Sequence, residues 1–368
     1  MIKQRWDIFC KIVDNFGDIG VCWRLARQLQ SEHGLHIWLW VDDLNAAKKI
    51  IPALNVAESS QIYEEITILK WDGSNKEGHA DFAQAAECVI EVFACGLPPE
   101  YLAAMAEQQS TVSKTKWINL EYLSAEPWVA DFHAKPSPQP NGLTRYFYFP
   151  GFTDATGGLI RESDSLGSHY DKSRSDMETL KVSLFCYPHA PIHDLLTAMA
   201  ESNQPINCYV PASSILPQIA DFFGKETIDI GDDLSKKNLH MYILPFLSQA
   251  DYDALLRDCD INFVRGEDSW VRAIWACKPF IWQPYFQDEN THIKKLNAFL
   301  DLFYADFDAK QVVCEAHSAW MLGQLSNAIW QSYLDNLSAI NTFSRQQSKN
   351  LAKLDDLAAK LVIFCNKL

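Results

Sequence analysis

Val13-Asp14-Asn15-Phe16-Gly17-Asp18-Ile19-Gly20-Val21 joins a strand-like run to a helical one. Upstream, Trp6 to Val13 is rich in β-branched and aromatic residues; downstream, Cys22, Leu25, Ala26 and Leu29 recur at helical spacing. The glycine-bearing loop between them is therefore a β-to-α turn, and it carries two carboxylates. In open α/β sheets ligands bind beyond the carboxyl ends of strands, which makes Asp14 and Asp18 candidates for chemistry on a bound substrate. The same acids also suit a plain architectural reading, with Asp18 capping the helix and Asp14 stabilising the turn.

From this turn the rhythm extends through the chain. Ile37 to Val41, Ile66 to Trp71, Cys88 to Val92 and Lys116 to Leu120 read as further strands with helical stretches between several of them. That is the βαβ pattern of a parallel sheet covered on both faces. Lys135-Pro136-Ser137-Pro138-Gln139-Pro140-Asn141-Gly142 reads as a loop by composition, Gly151-Phe152-Thr153 with Gly157-Gly158 as a flexible one, and the polar stretch Ser163 to Asp176 as a domain boundary. Strand signals then restart at Val182 to Tyr187, Ile206 to Val210, His240 to Leu244, Ile261 to Val264 and Phe280 to Gln283. Two α/β domains are expected, over residues 1–178 and 179–345, with a terminal helical segment, 346–368, returning to the first.

Composition agrees with that size. The chain has 368 residues, is 48% hydrophobic and 21% charged, and holds 12 Trp, 13 Tyr and 20 Phe, enough to bury more than one core. A single core stops growing at roughly 250 to 300 residues. No run reaches the ~18 uncharged apolar residues of a membrane helix, so no membrane association and a cytoplasmic location are expected. Ten cysteines occur without a Cys-x-x-Cys pair, mostly in apolar contexts, and read as buried free thiols. A net charge of −15 with no basic stripe excludes nucleic acid as the main partner. It leaves room for a small phosphorylated ligand, which needs only a local pocket of amides and an arginine.

The second half supplies such a pocket. In Asn262-Phe263-Val264-Arg265-Gly266-Glu267-Asp268-Ser269 an apolar strand ends in a glycine turn, and Asp268 or Ser269 can cap the helix that follows. Helix N-terminal amides bind phosphate or diphosphate readily. Arg265 can add a charge-assisted hydrogen bond and Glu267 can accept ribose hydroxyls or orient the turn; a capped helix with an Arg–Glu surface pair is the plainer alternative. In Phe185-Cys186-Tyr187-Pro188 the two-residue period puts Phe185 and Tyr187 on one side, with Tyr187 placed to donate to a phosphate or sugar oxygen. Phe246, following Leu244-Pro245, can stack on a base whose edge Gln249 and backbone amides read, or it can be a hydrophobic plug. Gln283-Pro284-Tyr285 ends another strand.

Taken together these motifs resemble a known family. Asp14-Asn-Phe-Gly-Asp18-Ile-Gly-Val-Cys-Trp-Arg looks like the opening signature of the EarP proteins, bacterial arginine rhamnosyltransferases that modify translation elongation factor P. Trp40-Val41-Asp42-Asp43-Leu44, Pro150-Gly151-Phe152 with Gly157-Gly158-Leu159, Phe246 to Gln249, Arg265 to Ser269 and Trp282-Gln283-Pro284-Tyr285 match the same family in order. Trp270 stands where many relatives are expected to carry phenylalanine. The resemblance implies a GT-B architecture, two Rossmann-like domains facing each other across a cleft, with no metal-binding Asp-x-Asp and no cofactor.

It also implies the substrates: dTDP-β-L-rhamnose as donor and one arginine at a loop tip of elongation factor P as acceptor, with inversion at the anomeric carbon. By the same likeness Asn15, Phe16, Gly17, Tyr187, Phe246, Gln249, Arg265, Gly266, Glu267, Asp268, Ser269, Gln283 and Tyr285 are expected at the donor. Asp14, Asp18 and Glu267 match positions on which activity is thought to depend. The chemistry asks for such acids independently, because guanidinium nitrogens are poor nucleophiles until a carboxylate orients them and accepts a proton. Asp18 is read as that base and Asp14 as the group that holds the guanidinium or shapes the loop, an assignment that can be exchanged. Two other readings use the same motifs: a GT-B transferase or epimerase acting on a small molecule, and a non-catalytic nucleotide-sugar sensor.

Overall fold

The computed structural model describes residues 4–13, 16–71, 82, 84–109, 114–163 and 179–368. The chain forms two compact units, residues 1–163 with 354–368 and residues 164–353. Asp14, Asn15 and most of the polar stretch expected as the boundary lie outside the described residues.

The first unit runs β1 (Arg5–Cys10), α1 (Gly17–His33), β2 (His36–Val41), α2 (Leu44–Ile50), β3 (Ser60–Tyr63), β4 (Ile66–Lys70), β5 (Cys88–Val92), α3 (Pro99–Gln108), β6 (Lys116–Leu120), α4 (Val129–Phe132), β7 (Pro136–Pro138) and β8 (Thr144–Tyr148). Its sheet has the order β3-β4-β2-β1-β5-β6-β8-β7, parallel except for β3 and β7 at the two edges. Period-two alternation splits the buried side chains between two cores. Ile8 and Cys10 of β1 join the core beneath α1, whereas Phe9 points to the opposite face with Trp40, Trp71 and Tyr101.

Three sequence expectations change here. The first strand stops at Cys10, so Ile12 and Val13 belong to the loop and Val13 is 68% exposed. The proline-rich segment expected as a loop contributes β7, an edge strand, where prolines remove no interior ladder bond. The glycine segment expected to be flexible is closely packed. Gly158 has φ +77°, and a Cβ there would lie 2.6 Å from the Asp355 carbonyl oxygen.

The second unit runs β9 (Leu180–Leu184), α5 (Ile192–Ala200), β10 (Ile206–Pro211), α6 (Leu216–Phe222), β11 (Asp233–Lys236), β12 (Leu239–Leu244), α7 (Gln249–Asp258), β13 (Ile261–Arg265), α8 (Asp268–Trp275), β14 (Phe280–Gln283), α9 (Thr291–Phe303), α10 (Lys310–Leu322), α11 (Asn327–Asp335) and α12 (Leu337–Leu351). Its sheet order is β11-β12-β10-β9-β13-β14, with only β11 antiparallel to its neighbour among the described pairs. β9 is the central strand from which the order runs both ways, so its carboxyl end is a topological switch point.

The last helix, α13 (Leu357–Lys367), returns to the first unit. Leu357, Ala358, Leu361 and Cys365 enter the core beneath α1, and Asp356 caps the helix by accepting from the Ala359 amide at 2.9 Å. Gln28 of α1 donates to that same carboxylate at 3.1 Å. All ten cysteines are free, eight of them buried. Among the described residues no helix is long and apolar enough to cross a membrane.

Candidate active site

At the carboxyl end of β1, Phe16 precedes α1 in αR conformation and its carbonyl accepts from Gly20 at 2.9 Å; Gly17 opens the helix. Asp18 stands in the first turn, where a carboxylate is favoured by the helix dipole. It does not cap the helix. Instead its Oδ2 accepts the Val13 amide at 2.7 Å, reaching back to the loop, and the side chain is 4% exposed. Asp42, at the end of β2, fixes the same loop by accepting from Ile12 at 2.9 Å. Burial holds the Asp42 carboxyl above its ordinary range. The loop is thus tied at two successive amides and the Asp18 carboxylate is oriented by one of them. Asp14 and Asn15 lie outside the described residues.

The second unit brings several expected residues together at the carboxyl ends of β9, β13 and β14. Beyond β9, the Arg265 guanidinium lies 4.3 Å from the Phe185 ring centroid and 4.6 Å from that of Tyr187, which places the two aromatics on one side as period two requires. Arg265 Nη1 also donates to the Cys186 carbonyl at 3.1 Å. Planar guanidinium groups stack well on aromatic faces because they are weakly hydrated and delocalised. Tyr285 meets Tyr187 edge-on, with centroids 5.7 Å apart, and is 49% exposed.

Gln283 organises this corner. Its side-chain Oε1 accepts the Tyr187 amide at 2.9 Å and its backbone carbonyl accepts the Gly266 amide at 3.1 Å, while the residue itself is 1% exposed. Gly266 takes φ +60°, which glycine adopts without a Cβ penalty, and its carbonyl accepts from the Trp282 indole at 2.7 Å. Trp282 stacks at 3.6 Å on Trp270 of α8.

The expectation that Asp268 or Ser269 caps α8 is corrected. Glu267 occupies the cap position in αR conformation without a side-chain cap hydrogen bond, and Asp268 lies in the first turn. Ser269 Oγ instead donates to the Arg265 carbonyl and accepts the Arg265 amide, the latter at 3.0 Å. A hydroxyl can do both at once, so it closes the turn onto the strand that feeds it.

Phe246 and Gln249 follow β12, both partly buried, with Ser248 between them capping α7 by accepting the Asp251 amide at 3.1 Å. β12 is separated from β13 by β10 and β9. Three strand spacings place the two strand ends about 14 Å apart. Phe246 and Gln249 therefore belong to the same sheet edge as Arg265 but to its other end.

His189 escaped the sequence reading. Its ring stacks on Tyr187 with centroids 5.6 Å apart and planes 7° apart, and Phe286 meets it edge-on at 5.8 Å. Burial, then the neighbouring His292 and Arg265, hold its imidazole below the usual range. Its position two residues beyond Tyr187 was the available signal, since the period that grouped Phe185 with Tyr187 continues to it.

Comparison with known proteins places this geometry in context. A family model described as Elongation-Factor P (EF-P) rhamnosyltransferase EarP matches residues 6–366. A protein-arginine rhamnosyltransferase of Pseudomonas putida is 39% identical over 381 residues, covering 99% of both chains. Among solved structures, one described as the structural basis for EarP-mediated arginine glycosylation of translation elongation factor EF-P superposes with a TM-score of 0.67 at 29% identity, covering 99% of each chain. MurG of Acinetobacter baumannii superposes over the whole of both chains with a TM-score of 0.57 at 12% identity, a likeness of fold. The two parallel-rich sheets are those of the GT-B glycosyltransferase fold.

Proposed function

We propose a reaction for a chain that belongs to the EarP family and is, like its relatives, a protein-arginine rhamnosyltransferase. It moves L-rhamnose from dTDP-β-L-rhamnose to a guanidinium nitrogen of one arginine of translation elongation factor P, with inversion and without a metal ion. The observation that carries the donor side is the Arg265 guanidinium packed over Phe185 and Tyr187 beside the first turn of α8. A fixed cation and the positive end of a helix dipole suit the charge that grows on a departing nucleoside diphosphate.

Phe246 and Gln249, at the other end of the same sheet edge, suit the thymine, and Tyr187, Tyr285 and Glu267 suit the ribose and phosphates. Gly266, Ser269 and Gln283 shape the turn. Asp18 accepts a proton from the acceptor guanidinium as its nitrogen attacks the anomeric carbon. The carbon–oxygen bond to dTDP breaks, and the diphosphate leaves with its electron pair. The Val13 amide fixes the orientation of the Asp18 carboxylate, and a carboxylate is the acceptor-only group that can take the proton. Asp14 steadies the guanidinium.

Intact-mass spectrometry after mixing the enzyme with dTDP-rhamnose and elongation factor P tests the reading. Gain of one deoxyhexose on a single arginine is expected. An unmodified factor, with donor consumed by a small-molecule acceptor, would overturn it.

A further inference from the structure

Past β5 the chain turns through Phe93 (φ 54°) and Ala94 (φ 51°), two successive non-glycine residues in the left-handed region. Such a conformation persists only where neighbours over-determine it. Here they do. The Phe93 amide donates to the Leu120 carbonyl at 2.7 Å, Ala94 to Asn119 Oδ1 at 3.1 Å, and Gly96 to Glu91 Oε1 at 2.9 Å.

The held conformation lays the Phe93 ring parallel to that of Tyr122, with centroids 4.1 Å apart and planes 2° apart. Tyr122 follows β6 and is 39% exposed. Phe93 packs on the core that Ile12 and Val21 also join, so the pair stands on the α1 side of the sheet. β1, β5 and β6 are consecutive in that sheet, and Cys95 of the same turn donates to the Phe9 carbonyl at 3.4 Å. The ring pair therefore stands on the same face of the sheet, and at the same end of the strands, as the first turn of α1, where Asp18 sits.

We propose that Tyr122, backed by Phe93, is the platform on which the acceptor's arginine stacks its guanidinium. The proposal rests on the reading that the acceptor is a protein arginine and adds the surface that recognises it. A planar, weakly hydrated cation is the group such a ring attracts, and the Asp18 carboxylate, on the same face and at the same end of the strands, matches its charge. No other part of the reaction described above uses this pair.

The test measures KM separately for elongation factor P and for dTDP-rhamnose in the full-length enzyme. Tyr122→Leu is expected to raise the acceptor KM roughly 5- to 30-fold and to leave the donor KM within about twofold. Tyr122→Phe, which keeps the ring, is expected to restore the wild-type acceptor KM. An unchanged acceptor KM in Tyr122→Leu overturns the platform, as does a parallel rise of both KM values or a Tyr122→Phe enzyme as impaired as Tyr122→Leu. A wild-type enzyme that modifies no arginine removes the substrate reading and the platform with it. An active wild type with an unaffected Tyr122→Leu removes the platform alone.

Discussion

The guanidinium of Arg265 lies over the ring of Tyr187, 4.6 Å from its centroid, and is held there by the Cys186 carbonyl. A flat, forked cation satisfies both contacts at once, and an ammonium on a flexible stem does not. Arg265→Lys is therefore expected to raise the dTDP-rhamnose KM and lower kcat/KM by roughly 10- to 100-fold, the value of a charge-assisted bond. Donor titration with initial rates checks this, and a lysine enzyme of normal efficiency would show that charge alone suffices.

Asp18→Asn separates chemistry from architecture. The amide oxygen of asparagine can still accept from Val13, so the loop and donor affinity are expected to survive. Loss of a general base should lower kcat by about 10²- to 10⁴-fold. Calorimetric titration with dTDP beside single-turnover transfer gives the answer; near-normal transfer would remove Asp18 from the base role.

His317 gives the second unit a pH dependence. Its ring is fully buried in α10, Nδ1 meets the Val313 carbonyl at 2.9 Å, and Nε2 has no partner. Burial pushes its pKa down from 6.5 to about 4. The unfolded chain therefore binds more protons between these values. Stability from this group is fully present above about pH 6.5 and is lost as pH falls toward 4, by an amount on the order of 3 kcal/mol. Denaturant melts at pH 7, 5.5 and 4.5 should show the decline, and His317→Leu should flatten it.

Gly158→Ala attacks the joint between the glycine segment and the end of the chain. The positive φ and the 2.6 Å approach to the Asp355 carbonyl are both incompatible with a methyl group. A loss of roughly 1–3 kcal/mol is expected, concentrated in α13. Hydrogen exchange should show faster amides in 357–367; uniform protection would contradict the assignment.

Much of this was legible in the sequence because burial leaves a period. The strands at Cys88 to Val92, Lys116 to Leu120 and Phe280 to Gln283 fall where the apolar runs place them, since strands covered on both faces are nearly all apolar. The edge strands β3, β7 and β11 were missed because one side of each is solvated and the hydrophobic signal is absent. Arg265, Tyr187 and Gly266 could be read from their place after strands. The use of Ser269 to tie its own turn, the coupling of Tyr187 to Gly266 through Gln283, and the Phe93–Tyr122 stack depend on contacts between segments distant in sequence. No local pattern encodes them.

Because Leu357, Ala358, Leu361 and Cys365 complete the core beneath α1, the first unit is finished by residues synthesised after the whole of 164–353. On the ribosome, domains ordinarily mature in sequence order. Here the order is reversed: residues 164–353 can close their own core while the amino-terminal sheet still waits for its final helix. Growing chains should therefore carry an unfinished apolar face on the amino-terminal half until residues 357–365 have emerged.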